Sequence, residues 1–154
     1  MPDSLIKKIQ PFLGNILDPA AGKCRMIAGI LGDRPSQSAK SPQLWNAAFR
    51  SLKIDATYFP FDVSTSNLPH LLNALRENPQ YVGGNVTMPY KVAVMNYLDD
   101  IDANARLMNA VNTIGRTTDG KLIGYNTDAQ GAVDSLVKTM PWQEHPFLSS
   151  LRGQ

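Results

Sequence analysis

Apolar and polar residues alternate along this chain in a way that predicts strands separated by amphipathic helices. Residues 26–31 are apolar throughout, which is typical of a strand covered on both faces. Residues 54–63 and 81–86 predict two further strands, and Pro60 indicates that the first of these lies at a sheet edge or contains a bulge. Between them, four leucines recur with the spacing of one helical face: Leu68, Leu71, Leu72 and Leu75. This alternation indicates an α/β domain with a largely parallel sheet.

The segment after the first predicted strand favours a loop followed by a helix. Ser41 precedes Pro42, a pair typical of a helix N-cap with proline at the first helical position. Five apolar residues then predict the buried stripe of this helix: Leu44, Trp45, Ala48, Phe49 and Leu52. In the strand that follows, we expect Tyr58 and Phe59 to pack in the interior.

The second half of the chain predicts shorter elements and one hairpin. We expect the Met88-Pro89 pair to open a short helix and residues 101–108 to form another. Residues 111–116 and 121–126 flank a Thr-Asp-Gly turn and predict an antiparallel hairpin, so the sheet is mixed. A closing helix is predicted from its apolar positions, Ala129, Ala132, Val133, Leu136, Val137 and Met140.

These elements predict three regions. Residues 1–24 form an N-terminal helical extension, in which Leu5, Ile9, Phe12 and Ile16 share helical spacing. Residues 25–140 form a three-layer α/β/α domain with a mixed, mostly parallel sheet. Residues 141–154 are irregular, contain two prolines and are expected to be a linker.

Composition and charge narrow the function classes. The 15 Lys and Arg residues and 13 Asp and Glu residues are scattered and give a net charge of +2, so we expect no nucleic-acid partner. Cys24 is the only cysteine, and neither histidine has partners at ligand spacing, so no metal site is assigned. Because the chain has no signal peptide and no membrane-spanning run, we expect a cytoplasmic protein that does not bind membranes.

Polar residues gather where the predicted strands end, and open α/β sheets bind ligands at the carboxyl ends of their strands. Residues 83–91 read Gly-Gly-Asn-Val-Thr-Met-Pro-Tyr-Lys and supply an amide, a hydroxyl and an amine. Residues 36–41 contain three serines, and residues 110–113 and 124–128 flank the hairpin with amides, hydroxyls and a carboxylate. The sequence therefore predicts a polar ligand site at this edge.

The order and spacing of four segments resemble the substrate-binding domain of shikimate dehydrogenases. The segments are residues 32–42, 85–91, 110–113 and 124–128, and the resemblance covers about residues 26–140. It implies a small-molecule substrate and the reversible, NADP-linked reduction of 3-dehydroshikimate to shikimate in aromatic amino-acid biosynthesis.

The same resemblance assigns roles to individual residues. Lys91 corresponds to the catalytic lysine and Asp128 to the acidic partner that helps it to hold and polarise the reacting hydroxyl. Lys91 would act as general acid toward the ketone and as proton acceptor in the reverse direction. The substrate-binding residues implied by the resemblance are Ser38, Ser41, Thr87, Lys91, Asn112 and Asp128. Of these, the two serines would bind the substrate carboxylate, and Asn112 the ring hydroxyls, while Asn85 would support the pocket wall.

Several alternatives remain open at this point. The loop is one residue longer between its two serines than is usual in the family, so Ser36 rivals Ser38 as the second carboxylate ligand. Asp128 also suits an ordinary helix N-cap, and Asn112 suits a turn residue beside a hairpin.

The expected cofactor does not have a recognisable binding motif here. The chain contains no G-x-G-x-x-G, so NADP is expected on a Rossmann-type second domain that is absent from this chain, and the chain alone is expected to be inactive. Two other functions stay open, a quinate or quinate/shikimate dehydrogenase paralogue and a stand-alone, non-catalytic binding module for a small hydroxy acid. An oligomer is compatible with the sequence.

Overall fold

The computed structural model describes residues 4–139, which form one sheet with flanking helices. The strands of this part are β1 (Met26–Gly32), β2 (Ala56–Asp62), β3 (Tyr81–Val86), β4 (Asp100–Ile101), β5 (Thr113–Arg116) and β6 (Leu122–Tyr125). Its α-helices are α1 (Leu5–Ile9), α2 (Pro35–Ser38), α3 (Ser41–Ser51), α4 (Leu68–Arg76), α5 (Ala103–Met108) and α6 (Asp128–Thr139). Short 3₁₀ segments lie at Gln10–Phe12, Ala21–Lys23 and Ala93–Tyr97.

The sheet has the strand order β2-β1-β3-β5-β6-β4. β1 pairs in parallel with β2 and β3, and β4 pairs in parallel with β6. β5 runs antiparallel to both of its neighbours, β3 and β6. The predicted mixed, mostly parallel sheet and the hairpin are therefore confirmed. Of the two alternatives for the strand that contains Pro60, the edge position is the one observed.

Side chains of β1 alternate between two apolar layers. Ile27 and Leu31 belong to the main core, which also contains the α4 leucines. Ala28 and Ile30 face the opposite layer, where Phe49 of α3 packs. Because helices cover both faces of the sheet, the predicted three-layer α/β/α arrangement is confirmed.

Helix α4 lies on the main-core face of the sheet, opposite α3. Its four leucines, which the helical spacing predicted, are 0–1% exposed. Complete burial of such a side chain contributes roughly 1.5–3 kcal/mol. The last carbonyl groups of the helix, which lack partners within the helix, accept hydrogen bonds from Arg116 of β5. These bonds join the helix to the hairpin.

The N-terminal segment packs against the main core and along the free edge of β2. Leu5 and Ile9 are completely buried in the same core as α4. Asn15 donates a hydrogen bond to the Pro60 carbonyl and accepts one from the Asp62 amide, so it occupies backbone groups that an edge strand otherwise leaves unpaired. Ile16 is 92% exposed and does not join the predicted apolar face, because the helix ends at Ile9 and the chain then turns.

Two predicted features of the helices are wrong. The α3 stripe is largely exposed, since Leu44, Trp45 and Leu52 keep 71%, 45% and 68% of their surface. The helix packs against the β1–β2 edge, so only the part of the stripe that faces these strands is covered. The Met88-Pro89 pair lies in a turn closed by the Tyr90 amide on the Thr87 carbonyl, and the next helical segment begins only at Ala93.

The predicted closing helix is present, but it does not pack on the core. Helix α6 has no buried residue, and Val133 and Leu136 remain 38% and 48% exposed. Within residues 4–139 no element buries these positions, while Met140 lies outside the described residues. Residues 4–139 contain no helix that is long and apolar enough to cross a membrane.

Candidate active site

An ion pair between Lys91 and Asp128 is the centre of the polar edge of the sheet. Lys91 lies in the turns that follow β3, and Asp128 is the first residue of α6, directly after the hairpin. The lysine Nζ is 2.7 Å from the aspartate Oδ2. The side chains are 29% and 55% exposed, so both can be reached by a ligand from solvent.

Asn112 holds the second oxygen of the same carboxylate. Its Nδ2 donates to Asp128 Oδ1 at 2.7 Å and to Thr127 Oγ1 at 3.0 Å. Its Oδ1 accepts hydrogen bonds from Thr113 Oγ1 at 2.9 Å and from the Thr127 amide at 3.1 Å. With only 7% of its surface exposed, Asn112 is a fixed support for Asp128.

The electrostatics of the cluster favour an ionised carboxylate. The hydrogen bond from Lys91 is the main cause that lowers the pKa of Asp128 below its ordinary value of 3.8. Partial burial opposes this shift, and the hydrogen bond from Asn112 adds to it. Asp128 therefore stays negatively charged beside the lysine at neutral pH.

Backbone hydrogen bonds place these side chains. The Val111 amide donates to the Lys91 carbonyl at 2.7 Å, and the Val86 amide donates to the Asn112 carbonyl at 2.8 Å. The Asn112 amide in turn donates to the Tyr125 carbonyl at 3.0 Å. The end of β3, the turn after it and the hairpin are thus joined at the site, which explains how residues distant in the sequence meet there.

A second polar group lies on the α3 side of the sheet. Tyr58 of β2 donates a hydrogen bond of 2.6 Å to Asn85 Oδ1 of β3. Burial raises the pKa of Tyr58 to about 12, and the nearby Ser41 hydroxyl partly offsets that rise. Sequence reasoning assigned Tyr58 to packing alone, because strand alternation shows that a side chain is buried but not that its hydroxyl meets an amide two strands away.

The three serines of the β1–α3 loop differ in their surroundings. Ser36 donates its hydroxyl and its backbone amide to the buried carboxylate of Asp62. Ser38 is exposed at the end of α2. Ser41 Oγ is buried without a hydrogen-bond partner among residues 4–139. It makes no capping bond to α3, so the predicted N-cap role of Ser41 is wrong; the N-cap position is Lys40.

The structure unites the predicted site residues only in part. Direct hydrogen bonds join Lys91, Asp128 and Asn112. Thr87 is the first residue of the turn after β3, and its amide donates to the Leu31 carbonyl at 2.9 Å. Ser38 has no hydrogen bond to any of these residues within the described part of the chain.

The described residues do not fit the phosphates of a dinucleotide. No turn from a strand into a helix within residues 4–139 is rich in glycine, and the turns β1–α2 and β6–α6 carry a carboxylate, Asp33 and Asp128 respectively. Dinucleotide phosphates favour a glycine-rich turn at a helix N-terminus, where backbone N–H groups approach without a nearby negative charge.

Comparison with known proteins gives consistent matches. A family model described as the shikimate dehydrogenase substrate binding domain matches residues 30–114. Shikimate dehydrogenase (NADP⁺) of Lysinibacillus sphaericus is 47% identical over 107 residues, which are 70% of this chain and 38% of that protein.

Solved structures agree with the sequence matches. A crystal structure of a shikimate dehydrogenase in complex with NADP⁺ aligns with a TM-score of 0.70 and 38% identity, covering 83% of this chain and 42% of that one. The Thermus thermophilus enzyme in complex with NADP(H) and shikimate aligns with a TM-score of 0.66 and 31% identity, covering 73% and 42%. The chain thus spans about two-fifths of the length of these proteins. By the matched family model and by this agreement of fold, the chain belongs to the shikimate dehydrogenase family, through its substrate-binding domain.

Proposed function

We propose that this chain binds shikimate and 3-dehydroshikimate and supplies the acid–base group for their NADP-linked interconversion in aromatic amino-acid biosynthesis. The observation that carries the proposal is the Lys91–Asp128 ion pair, which Asn112 supports at the open polar edge of the sheet. The shikimate found in the Thermus thermophilus relative supports the choice of substrate.

The arrangement accounts for the proton transfer. A protonated lysine has three N–H donors, and only one of them is needed for Asp128, so another can donate to a ketone oxygen. As the carbonyl carbon gains hydride, Lys91 gives its proton to the oxygen, and in the oxidation of the alcohol it takes that proton back. Asp128 holds the amine in place and is a second acceptor for the substrate hydroxyl. NADPH supplies the hydride when it is bound, and we propose that it is bound by a second domain outside these 154 residues.

The loop serines differ in their proposed roles in binding the substrate carboxylate. Ser36 is committed to Asp62, which supports Ser38 rather than Ser36 as the partner of Ser41. We propose that Ser38, Ser41 and Thr87 donate their hydroxyls to the carboxylate. A ring hydroxyl that accepts from Asn112 must replace its hydrogen bond with Thr127 or with Asp128, since both of its Nδ2 hydrogens are engaged.

Substitution of Lys91 tests the proposal. In the complete two-domain enzyme, Lys91→Met is expected to lower kcat at least ~10²-fold and to change the substrate Kd much less, as loss of acid–base catalysis does. Lys121→Met is the matched control, because Lys121 also pairs with an aspartate, Asp119, but at the tip of the hairpin. Nicotinamide absorbance follows the reaction, and near-normal turnover of the Lys91 variant would remove this residue from the mechanism.

Calorimetry separates the remaining functions. Shikimate and 3-dehydroshikimate should bind more tightly than quinate if the proposed substrate is correct. Tighter binding of quinate would favour the quinate/shikimate dehydrogenase paralogue. Binding without turnover in the complete protein would favour a non-catalytic module.

A further inference from the structure

Tyr58 contributes a buried hydroxyl to the site that the proposed function does not use. The residue lies in the edge strand β2 and is 3% exposed. Its hydroxyl reaches Asn85 Oδ1 at 2.6 Å. A buried phenol paired with a side-chain amide fixes the orientation of that amide, which an apolar ring of the same shape cannot do.

The direction of this hydrogen bond follows from the other side of the amide. Asn85 Nδ2 lies 3.5 Å from the Asn112 carbonyl oxygen and 3.5 Å from Thr113 Oγ1. A carbonyl oxygen only accepts, so Nδ2 must face it and Oδ1 must face the phenol. Tyr58 therefore donates its proton to Asn85.

The direction of the Tyr58–Asn85 hydrogen bond determines which hydrogen bonds Ser41 can make. Since the proton of Tyr58 belongs to Asn85, the phenol oxygen offers only lone pairs to the neighbouring Ser41 hydroxyl. Ser41 Oγ is buried and makes no hydrogen bond within residues 4–139. Beside Tyr58 the Ser41 hydroxyl can therefore only donate, and a carboxylate ligand, which is a stronger acceptor than a neutral phenol oxygen, can take that O–H.

Two further contacts hold Tyr58 and Ser41 in a fixed relation. Asn46 of α3 accepts from the Tyr58 amide at 2.8 Å and donates to the Tyr58 carbonyl at 2.9 Å. Trp45 stacks on the phenol ring with a centroid separation of 6.1 Å and an interplanar angle of 14°. Helix α3, which begins at Ser41, is therefore tied to β2 at the position of the phenol.

We propose that Tyr58 is a positioning residue that sets the hydrogen-bond polarity of the carboxylate end of the site. Its proton orients Asn85, and its oxygen leaves Ser41 as a donor, so the site prefers an ionised carboxylate to a neutral group of the same shape. The inference rests on the proposed function, since it assumes that Ser41 binds the substrate carboxylate.

The test compares shikimate with its methyl ester, which lacks the negative charge. In the complete enzyme, Tyr58→Phe is expected to weaken shikimate binding about 3- to 10-fold, the scale of one hydrogen bond, and to change ester binding less than about 2-fold. The preference for the acid over the ester should fall accordingly. Equal losses for both ligands, or no loss for either, would overturn the role of Tyr58.

Tyr90→Phe is the matched control. Tyr90 is also 3% exposed, and its hydroxyl donates to the Val63 carbonyl at 2.8 Å, outside the Asn85–Ser41 group. This variant should lose comparable thermal stability but keep the preference for the acid. A shift of preference in Tyr90→Phe equal to that in Tyr58→Phe would also overturn the proposal.

If Tyr58→Phe fails to fold, a measurement on the unsubstituted enzyme tests the positioning role instead. The side-chain amide resonances of Asn85 should shift more on titration with shikimate than with the methyl ester, and equal shifts would contradict the proposal. If shikimate does not bind to the unsubstituted enzyme at all, the proposed function itself fails. Binding of shikimate with an unchanged acid preference in Tyr58→Phe refutes only the positioning role.

Discussion

At the scale of single residues, the protonation state of Asp128 depends on the side chains that surround it in the site. Its lowered folded-state pKa means that its contribution to stability is fully present above the ordinary value of 3.8 and is lost as pH falls through the lower folded value. The side chain is 55% exposed, so solvent screening keeps this contribution small. The pKa itself is the sharper quantity to measure.

We predict that Lys91→Met raises the pKa of Asp128 toward 3.8, because the largest cause of the shift is removed. Carbon-13 NMR of the carboxyl groups between about pH 2 and pH 7 would follow the titration. Asp99 is the internal control, since its pKa is lowered mainly by the Leu122 amide and does not involve Lys91. An unchanged Asp128 midpoint in the variant would contradict the assigned cause.

Ser41 gives a second prediction at this scale. Ser41→Ala should weaken shikimate binding by roughly 1–3 kcal/mol, as expected when a hydrogen bond to a charged group is lost. Its melting temperature should not fall, because the hydroxyl neither caps α3 nor bonds to another described residue. Calorimetry and thermal unfolding of the same variant separate the effects, and unchanged affinity would remove Ser41 from the binding residues.

At the scale of elements, the N-terminal segment behaves as part of the core. Helix α1 packs against α4, and residues 13–15 cover the edge strand β2. We predict that Ile9→Ala lowers the free energy of unfolding by about 2–5 kcal/mol, since a completely buried side chain leaves a cavity. Ile16→Ala is the matched control and should stay within about 0.5 kcal/mol, because Ile16 is 92% exposed. Urea unfolding of both variants checks the difference, and equal effects would show that α1 is not packed as described.

At the scale of the whole molecule, the sheet and its two helix layers should fold without a second domain. The elements from α1 to β6 bury a continuous main core, as a self-contained domain requires.

We predict that the purified 154-residue chain unfolds cooperatively, binds shikimate weakly and shows no NADPH-dependent reduction of 3-dehydroshikimate. Positioning of the reacting groups can account for roughly 7–11 kcal/mol of barrier reduction, and on our proposal the second domain is what holds the nicotinamide against the substrate. Nicotinamide absorbance and calorimetry measure the two activities. Cofactor-dependent turnover above background would contradict the proposed location of the nucleotide site.

The sequence by itself determined the properties that depend on neighbouring residues in the chain. Spacing of leucines predicted α4, the apolar run predicted β1, and Pro60 predicted an edge strand or a bulge, because periodicity and backbone chemistry act over a few residues. The family resemblance of the four polar segments also implied that Lys91 and Asp128 belong to one site. Only the tertiary structure decided which polar groups actually pair. Lys91 meets Asp128 across 37 positions and Tyr58 meets Asn85 across 27, and contacts at such separations depend on strand order. The exposure of α3 and α6 also depended on the tertiary structure. An apolar stripe shows which face of a helix can be buried, but burial requires a neighbouring element that packs on that face.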